Sequence, residues 1–404
     1  MSFIKLFKNF VITGFNTKLL FFDGTSSWSY EILPDLPLEK CRPKKYFDAD
    51  SDSDDESGQQ PQKQLPANGN NTADKTQIVA LEVHEEQYLL AVACSDKTLY
   101  LFEIGMNDGD GTTKGTLKLL SRRMVSRTSS CLKFAAGGKF LVVCDKGGDC
   151  YRYECDEDNS KKPGRWLLGH MSQVLDVLVS SDESMIITSD RDEKIRVTNH
   201  PNCDTIETFC LGHREFVSQL EFVQTKDAQP ALLSLSGDRT LRLWDYTTGK
   251  ELARKDLPQP GSRIAIKQLK EGGVLVAVLF YEPTEIDVFK IIDVEALKSD
   301  SFQTLKTEPN EVFSSLAFDA HNNLLALVVD KRTEKISLKF YQFENENSKF
   351  SEQSSNSLVK SFSANTMTDK IPYVDSVMFL FKKKIDNMKD YKERKRRRIE
   401  EDGK

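Results

Sequence analysis

Long apolar runs are missing from this 404-residue chain. The longest, Val274 to Tyr281, is far shorter than the roughly 20 residues that a membrane-crossing helix needs, so no membrane association is expected. A secretory leader is not expected either. The opening MSFIKLFKNFVITGF threads Lys5 and Lys8 through alternating apolar residues, which is a strand pattern. Eight cysteines stand at 41, 94, 131, 144, 150, 155, 203 and 210 without one C-x-x-C, and none pairs with a nearby histidine. They read as reduced thiols of a cytosolic or nuclear protein, with no zinc site. A basic excess is also missing: the net charge of −6 argues against a wholly basic nucleic-acid binder.

Cofactor loops are absent as well. There is no G-x-x-x-x-G-K-[ST] loop, no G-x-S-x-G elbow and no H-E-x-x-H. Gly272-Gly273 precede the strand VLVAVLF instead of following one, so a dinucleotide-binding reading fails. Of the five histidines, His84, His200 and His321 stand alone near turns. No catalytic residue, metal or cofactor is therefore expected on this chain.

What the chain does contain is a repeat. LLGHMSQVLDVLVSSDESMIITSDRDEKIRV is followed by CLGHREFVSQLEFVQTKDAQPALLSLSGDRTLRLWDYTTGK, and Gly169-His170 and Gly212-His213 lie 43 residues apart. That spacing and the closing Trp244-Asp245 mark WD repeats, each a four-stranded propeller blade. In such a blade a histidine reaches a hydroxyl on the second strand and an aspartate in the next turn, while a tryptophan donates to the same network. The predicted set is His213, Ser234, Asp238 and Trp244. The preceding copy offers His170, Thr188 and Asp192, with Thr198 where the tryptophan should be.

Hairpins of the same kind recur at 9–23, 89–103, 140–154, 274–290 and 324–343, which with the two copies makes seven. Alternation within each arm fits strands with one face in a core. The predicted fold is an all-β, seven-bladed propeller over residues 1–381, closed radially so that no long sheet edge is left bare. Residues 39–77, polar and acidic, are expected to form a disordered insertion loop. Residues 382–404 are expected to form a basic helical tail, with Asn387 as N-cap. Between Lys382 and Arg398 ten Lys or Arg face three acids, a composition suited to phosphate contacts or nuclear import.

Function on a propeller is expected in its loops and rims. The most distinctive stretch is SDRDEKIRV, where Arg191, Glu193 and Lys194 lie at a turn and Arg196 on the strand after it. Such a cluster is usually plain solvated surface, but both signs of charge also suit a complementary partner. Lys146, in the hairpin CDKGGD of the preceding repeat, would lie at the same end of the adjacent blade.

LGHMSQVLDV, TSDRDEKIRV, FCLGHREFVS and LSGDRTLRLWDY together resemble the non-catalytic WD-repeat subunit of the tRNA (guanine-N7)-methyltransferase, the Wuho-type family. The close match runs over about residues 140 to 250, with IDNMKDY and the basic tail. The resemblance implies a heterodimer with a catalytic subunit that binds S-adenosylmethionine and methylates a guanine in the tRNA variable loop. It implies partner contacts at Arg191, Glu193, Lys194, Arg196 and Lys146, and tRNA phosphate contacts at Lys392, Arg394, Lys395, Arg396, Arg397 and Arg398. The expected location is the nucleus, with the cytoplasm second. The alternative reading is a substrate receptor of a ubiquitin ligase, although Trp244-Asp245 is followed by Tyr246-Thr247 and not by the arginine such receptors carry.

Overall fold

The computed structural model describes residues 2–32 and 76–382, apart from position 9 and short breaks at 110–111, 157–161, 226–228, 271, 345–348, 367–368, 372 and 374. The basic tail beyond Lys382, with its proposed Asn387 cap, and most of the acidic insertion lie outside the described residues. Gln77, the last residue read into the insertion, is paired with Ser95 through two hydrogen bonds of 2.9 and 2.8 Å.

The described residues form seven antiparallel sheets, each of four strands consecutive in sequence. In chain order these blades span residues 2–31, 78–124, 129–169, 174–210, 217–256, 261–305 and 311–352. Every hairpin read from the sequence is the second and third strand of one blade. Second strands such as Leu89–Cys94 and Val274–Phe280 are buried along their whole length, because neighbouring blades cover both faces. An outermost strand such as Lys250–Asp256 alternates between exposed and half-buried residues instead. The core is accordingly a set of apolar layers between blades and not one central mass.

The seam between the first and last blades is closed by side chains. Ile4, Val11, Phe15, Leu20 and Phe22 pack against Leu325, Leu327, Leu338 and Phe340. Helix α1 (Ser357–Thr366), which the sequence reading did not find, lies along that seam. Asn356 caps it, its side-chain oxygen accepting the Leu358 amide at 2.8 Å. Leu358, Val359 and the fully buried Phe362 form its apolar stripe, and the Phe362 ring lies 5.5 Å from that of Phe22. Asn365 donates to Ser27 Oγ at 2.9 Å, and Lys18 pairs with Asp369 at 2.9 Å. Gly24 (φ 92°) lets the first blade come this close, since a β-carbon there would stand 2.4 Å from Ser357 Oγ.

The innermost strands line a central channel whose wall carries paired charges. Glu82 accepts from Lys5 at 2.5 Å and from Lys133 at 2.8 Å. Burial alone would raise its carboxyl, but the Lys133 and Lys5 ammonium groups hold it down to about 2. Asp176 accepts the Val177 and Leu220 amides and, among the described residues, forms no ion pair, and burial lifts it to about 6.

Two predictions follow from packing and pairing. Phe362→Ala should cost about 3–5 kcal/mol in denaturant unfolding, whereas Lys360→Ala on the exposed side of α1 should stay within about 0.5 kcal/mol. Glu82→Gln should cost about 1.5–3 kcal/mol at neutral pH, the usual worth of hydrogen bonds to a charged group. The Glu82 carboxyl is depressed, so its contribution is complete above the ordinary glutamate range and is lost as pH falls through about 2. The gap between wild type and variant should therefore shrink on acidification.

Candidate partner-binding site

The turns of blades 4 and 5 are set by buried polar networks. In blade 5 the His213 imidazole donates from Nδ1 to Asp238 at 3.0 Å and accepts at Nε2 from Ser234 Oγ at 2.7 Å. Trp244 Nε1 donates to the same Ser234 oxygen at 2.8 Å. This is the predicted set in full. Burial holds the His213 pKa below its ordinary value, so the ring is neutral and fits this donor–acceptor order.

Blade 4 departs from the reading in one residue. His170 accepts from Thr188 Oγ1 at 2.7 Å as expected, but Nδ1 donates to Asp190 at 3.1 Å and not to Asp192. Asp190 ends the strand Met185–Asp190 and is 2% exposed. Its other oxygen accepts the Lys194 amide at 2.9 Å, closing the turn from below. Asp192, which aligns with Asp238 by count, lies out on the turn, half-buried. Thr198 fills the tryptophan position fully buried, and Arg196 Nε donates to its hydroxyl at 2.9 Å.

The structure therefore separates the predicted partner residues into two groups. Arg196 belongs to the blade: its guanidinium also donates to the Gly169 carbonyl at 3.2 Å, and burial lowers its pKa. Arg191, Glu193 and Lys194 lie on the turn, with Glu193 at φ 71°, as Arg239 is at φ 65° in blade 5. Lys146 lies next to them because its hairpin presses against the loop entering blade 4. A β-carbon on Gly148 (φ 99°) would stand 2.5 Å from the His170 carbonyl oxygen. Lys146 and Arg191 both line a cavity of about 570 Å³ at the channel mouth, shared with Arg263 and Tyr281. Among the described residues neither the Lys146 nor the Lys194 ammonium makes a hydrogen bond or ion pair, and both side chains are exposed.

Sequence reasoning missed a second component. After α1 the chain crosses the channel mouth as a strap, residues 369–382. Its Ile371 amide donates to Glu334 of blade 7 at 2.7 Å, and Asp375 accepts from Tyr281 of blade 6 at 2.7 Å. Phe381 sits between the rings of Phe216 and Tyr281, at 5.0 and 5.5 Å. The strap ends on the charged turn, where Arg191 Nε donates to the Leu380 carbonyl at 3.3 Å and Lys382 pairs with Glu193 at 2.6 Å. The available signal was the apolar run VMFLF just before the basic tail.

The remaining polar chemistry is structural. His84 bonds the Ala136 carbonyl at 2.9 Å, and His200 bonds the Glu183 carbonyl at 2.8 Å and Arg152 at 3.1 Å. The seven described cysteines are free and buried, and burial pushes thiols such as Cys94 and Cys210 up to about 12, far from a reactive thiolate. Among the described residues no group of His, Cys, Asp and Glu could hold a metal ion, and no helix is long and apolar enough to cross a membrane.

A closed ring of blades with internally satisfied histidines and charged turns at one channel mouth defines a binding platform of the WD-repeat propeller class. The family model of the tRNA methyltransferase TRM82 WD40 domain matches residues 34–165 and 156–364. The chain belongs to that family, whose curated relatives are named as non-catalytic subunits. It is 73% identical to the tRNA (guanine-N(7)-)-methyltransferase non-catalytic subunit wuho of Aedes aegypti, over 100% of this chain and 98% of the relative. The wuho subunit of Culex quinquefasciatus is 54% identical over 100% and 99%, and that of Drosophila melanogaster 36% over 83% and 77%. Among solved structures U3-55K shares the fold, with a TM-score of 0.50 and 13% identity over 68% of this chain and 80% of that one.

Asp190→Asn should destabilise the protein by about 1.5–3 kcal/mol, and Asp192→Asn by no more than about 0.5 kcal/mol, in parallel denaturant titrations. Burial would raise the Asp190 carboxyl, but the His170 imidazole and the Lys194 amide hold it below its ordinary value. Its contribution is thus present above the ordinary aspartate range and fades as pH falls through the depressed value. A larger cost for Asp192→Asn than for Asp190→Asn would contradict this assignment and favour Asp192 as the partner of His170.

Proposed function

We propose that this chain is the non-catalytic half of a heterodimeric tRNA (guanine-N7)-methyltransferase, and that it stabilises and activates a catalytic subunit carrying S-adenosylmethionine. One observation carries the placement of the interface. The turn of blade 4, with half-buried Arg191 and Glu193 and exposed Lys194, lies beside the blade 3 turn with Lys146, and among the described residues the Lys146 and Lys194 ammonium groups have no hydrogen bond or ion pair. Charges carried on a rigid backbone suit a partner of complementary charge, since the ring has already met the entropy cost of ordering the turns that bear them.

In this reading the propeller supplies no reacting group. It binds the ordered conformation of the catalytic subunit more tightly than its other conformations and so shifts that subunit toward its active state. The basic stretch with Lys392 and Arg394 to Arg398 adds phosphate contacts to tRNA, an affinity that falls as salt rises. Arg196 acts through the blade by holding Thr198 and Gly169 in place. The proposed location is the nucleus, where a basic segment of this kind also suits import.

The test is methyl transfer to tRNA by this chain, by the candidate catalytic subunit and by their mixture. Activity should appear, or rise strongly, only in the mixture. Lys146→Glu combined with Lys194→Glu should weaken heterodimer affinity at least about tenfold, or about 1.4 kcal/mol, without shifting thermal unfolding of the free chain. Methyl transfer by this chain alone, or unchanged affinity in the double variant, would overturn the reading.

A further inference from the structure

The strap raises a question that the proposed function leaves open, namely why the chain crosses the whole channel mouth before its basic segment begins. Helix α1 lies on the seam between blades 7 and 1. In a ring of seven, blade 4 lies opposite that seam. Residues 369–382 span this distance, and fourteen residues reach at most about 50 Å when fully extended. The path rests in turn on blade 7 at Glu334, blade 6 at Tyr281, Phe216 at the entry to blade 5, and blade 4 at Arg191 and Glu193. If the chain left the body at α1, its ten basic residues would begin on the far side of the ring from the charged turn.

The contacts at the end of the strap differ in strength. Lys382 and Glu193 are about 40% exposed, and a solvated ion pair of that kind holds little. The Arg191 bond to the Leu380 carbonyl is a single one at 3.3 Å. Phe381 is different: its ring meets the fully buried Phe216 edge-on at 86° and packs against Tyr281, so it joins two blades through apolar contact. Tyr281 is held in turn by its hydrogen bond to Asp375.

We propose that Phe381 is a positioning residue: it pins the end of the strap to the mouth of blades 4 to 6, so that the basic segment starts at the partner-binding turn and stays there in the heterodimer. This inference rests on the function proposed above. Tethering the cations beside the partner raises their effective concentration at the tRNA that the partner holds, without adding a contact. The strap is then part of the interface and not a cover that the partner must displace.

The experiment uses the full chain, alone and with the catalytic subunit, and compares wild type with Phe381→Ala. In the free chain, amide hydrogen exchange at residues 378–382 should become much faster in the variant. In the heterodimer, tRNA affinity should drop several-fold and its salt dependence should flatten, a loss larger than any fall in subunit affinity. Unchanged exchange would show that Phe381 is not the anchor. Faster exchange with unchanged tRNA affinity would show that the anchor does not position the basic segment. Tighter subunit binding would show that the strap competes with the partner. Each of these three results overturns the proposal. If the wild-type chains do not associate at all, the heterodimer reading fails instead, and exchange in the free chain still decides whether Phe381 is the anchor.

Discussion

A ring of separate sheets persists only while its last sheet meets its first, and here that meeting is made without a shared strand. Each described sheet uses four consecutive strands, so no backbone ladder crosses the seam among the described residues. What crosses it is apolar packing between blades 1 and 7, with Phe362 of α1 inserted beside Phe22. Ser2 Oγ and Ser314 Oγ add a hydrogen bond of 2.6 Å at the channel. Every other interface in the ring depends on this one, because an open ring would expose the layer between its two end blades to water.

Closure and binding are linked by chain order. The segment that seals the seam continues as the strap, so the residues that make the ring rigid also direct the end of the chain toward blade 4. The turns it reaches are fixed from beneath. Asp190 and His170 in blade 4, like Asp238 and His213 in blade 5, are buried groups with their partners satisfied. The backbone of such turns loses little further freedom when a partner arrives, which suits the proposed role of holding another protein in one conformation.

The hairpins were legible because burial between blades makes each second strand a short continuous apolar run, followed after a tight turn by a third strand that is also largely apolar. The blade 5 network was legible because Ser234, Asp238 and Trp244 keep the spacing to one another that Thr188, Asp192 and Thr198 keep in the preceding repeat. Asp190 was not, because Asp190 and Asp192 flank the same turn and only backbone direction decides which carboxylate faces the histidine. Arg196 alternates with Ile195 and Val197 as expected, yet its guanidinium folds back onto Gly169, a contact that alternation alone does not reveal. The strap was hidden for a different reason. Arg191 and Leu380 are 189 positions apart, and residues 369–382 repeat nothing elsewhere in the chain. Helix α1 is ten residues rich in serine and threonine, with too short an apolar stripe to stand out.

The central claim is that one charged mouth of a rigid ring receives the catalytic subunit. Amide hydrogen exchange along the whole chain, with and without that subunit, tests it most directly. The account predicts protection confined to the turns at 145–148 and 190–194 and to the end of the strap, with the blade cores unchanged. Protection centred on another face of the ring, or protection spread evenly through the blades, would contradict it.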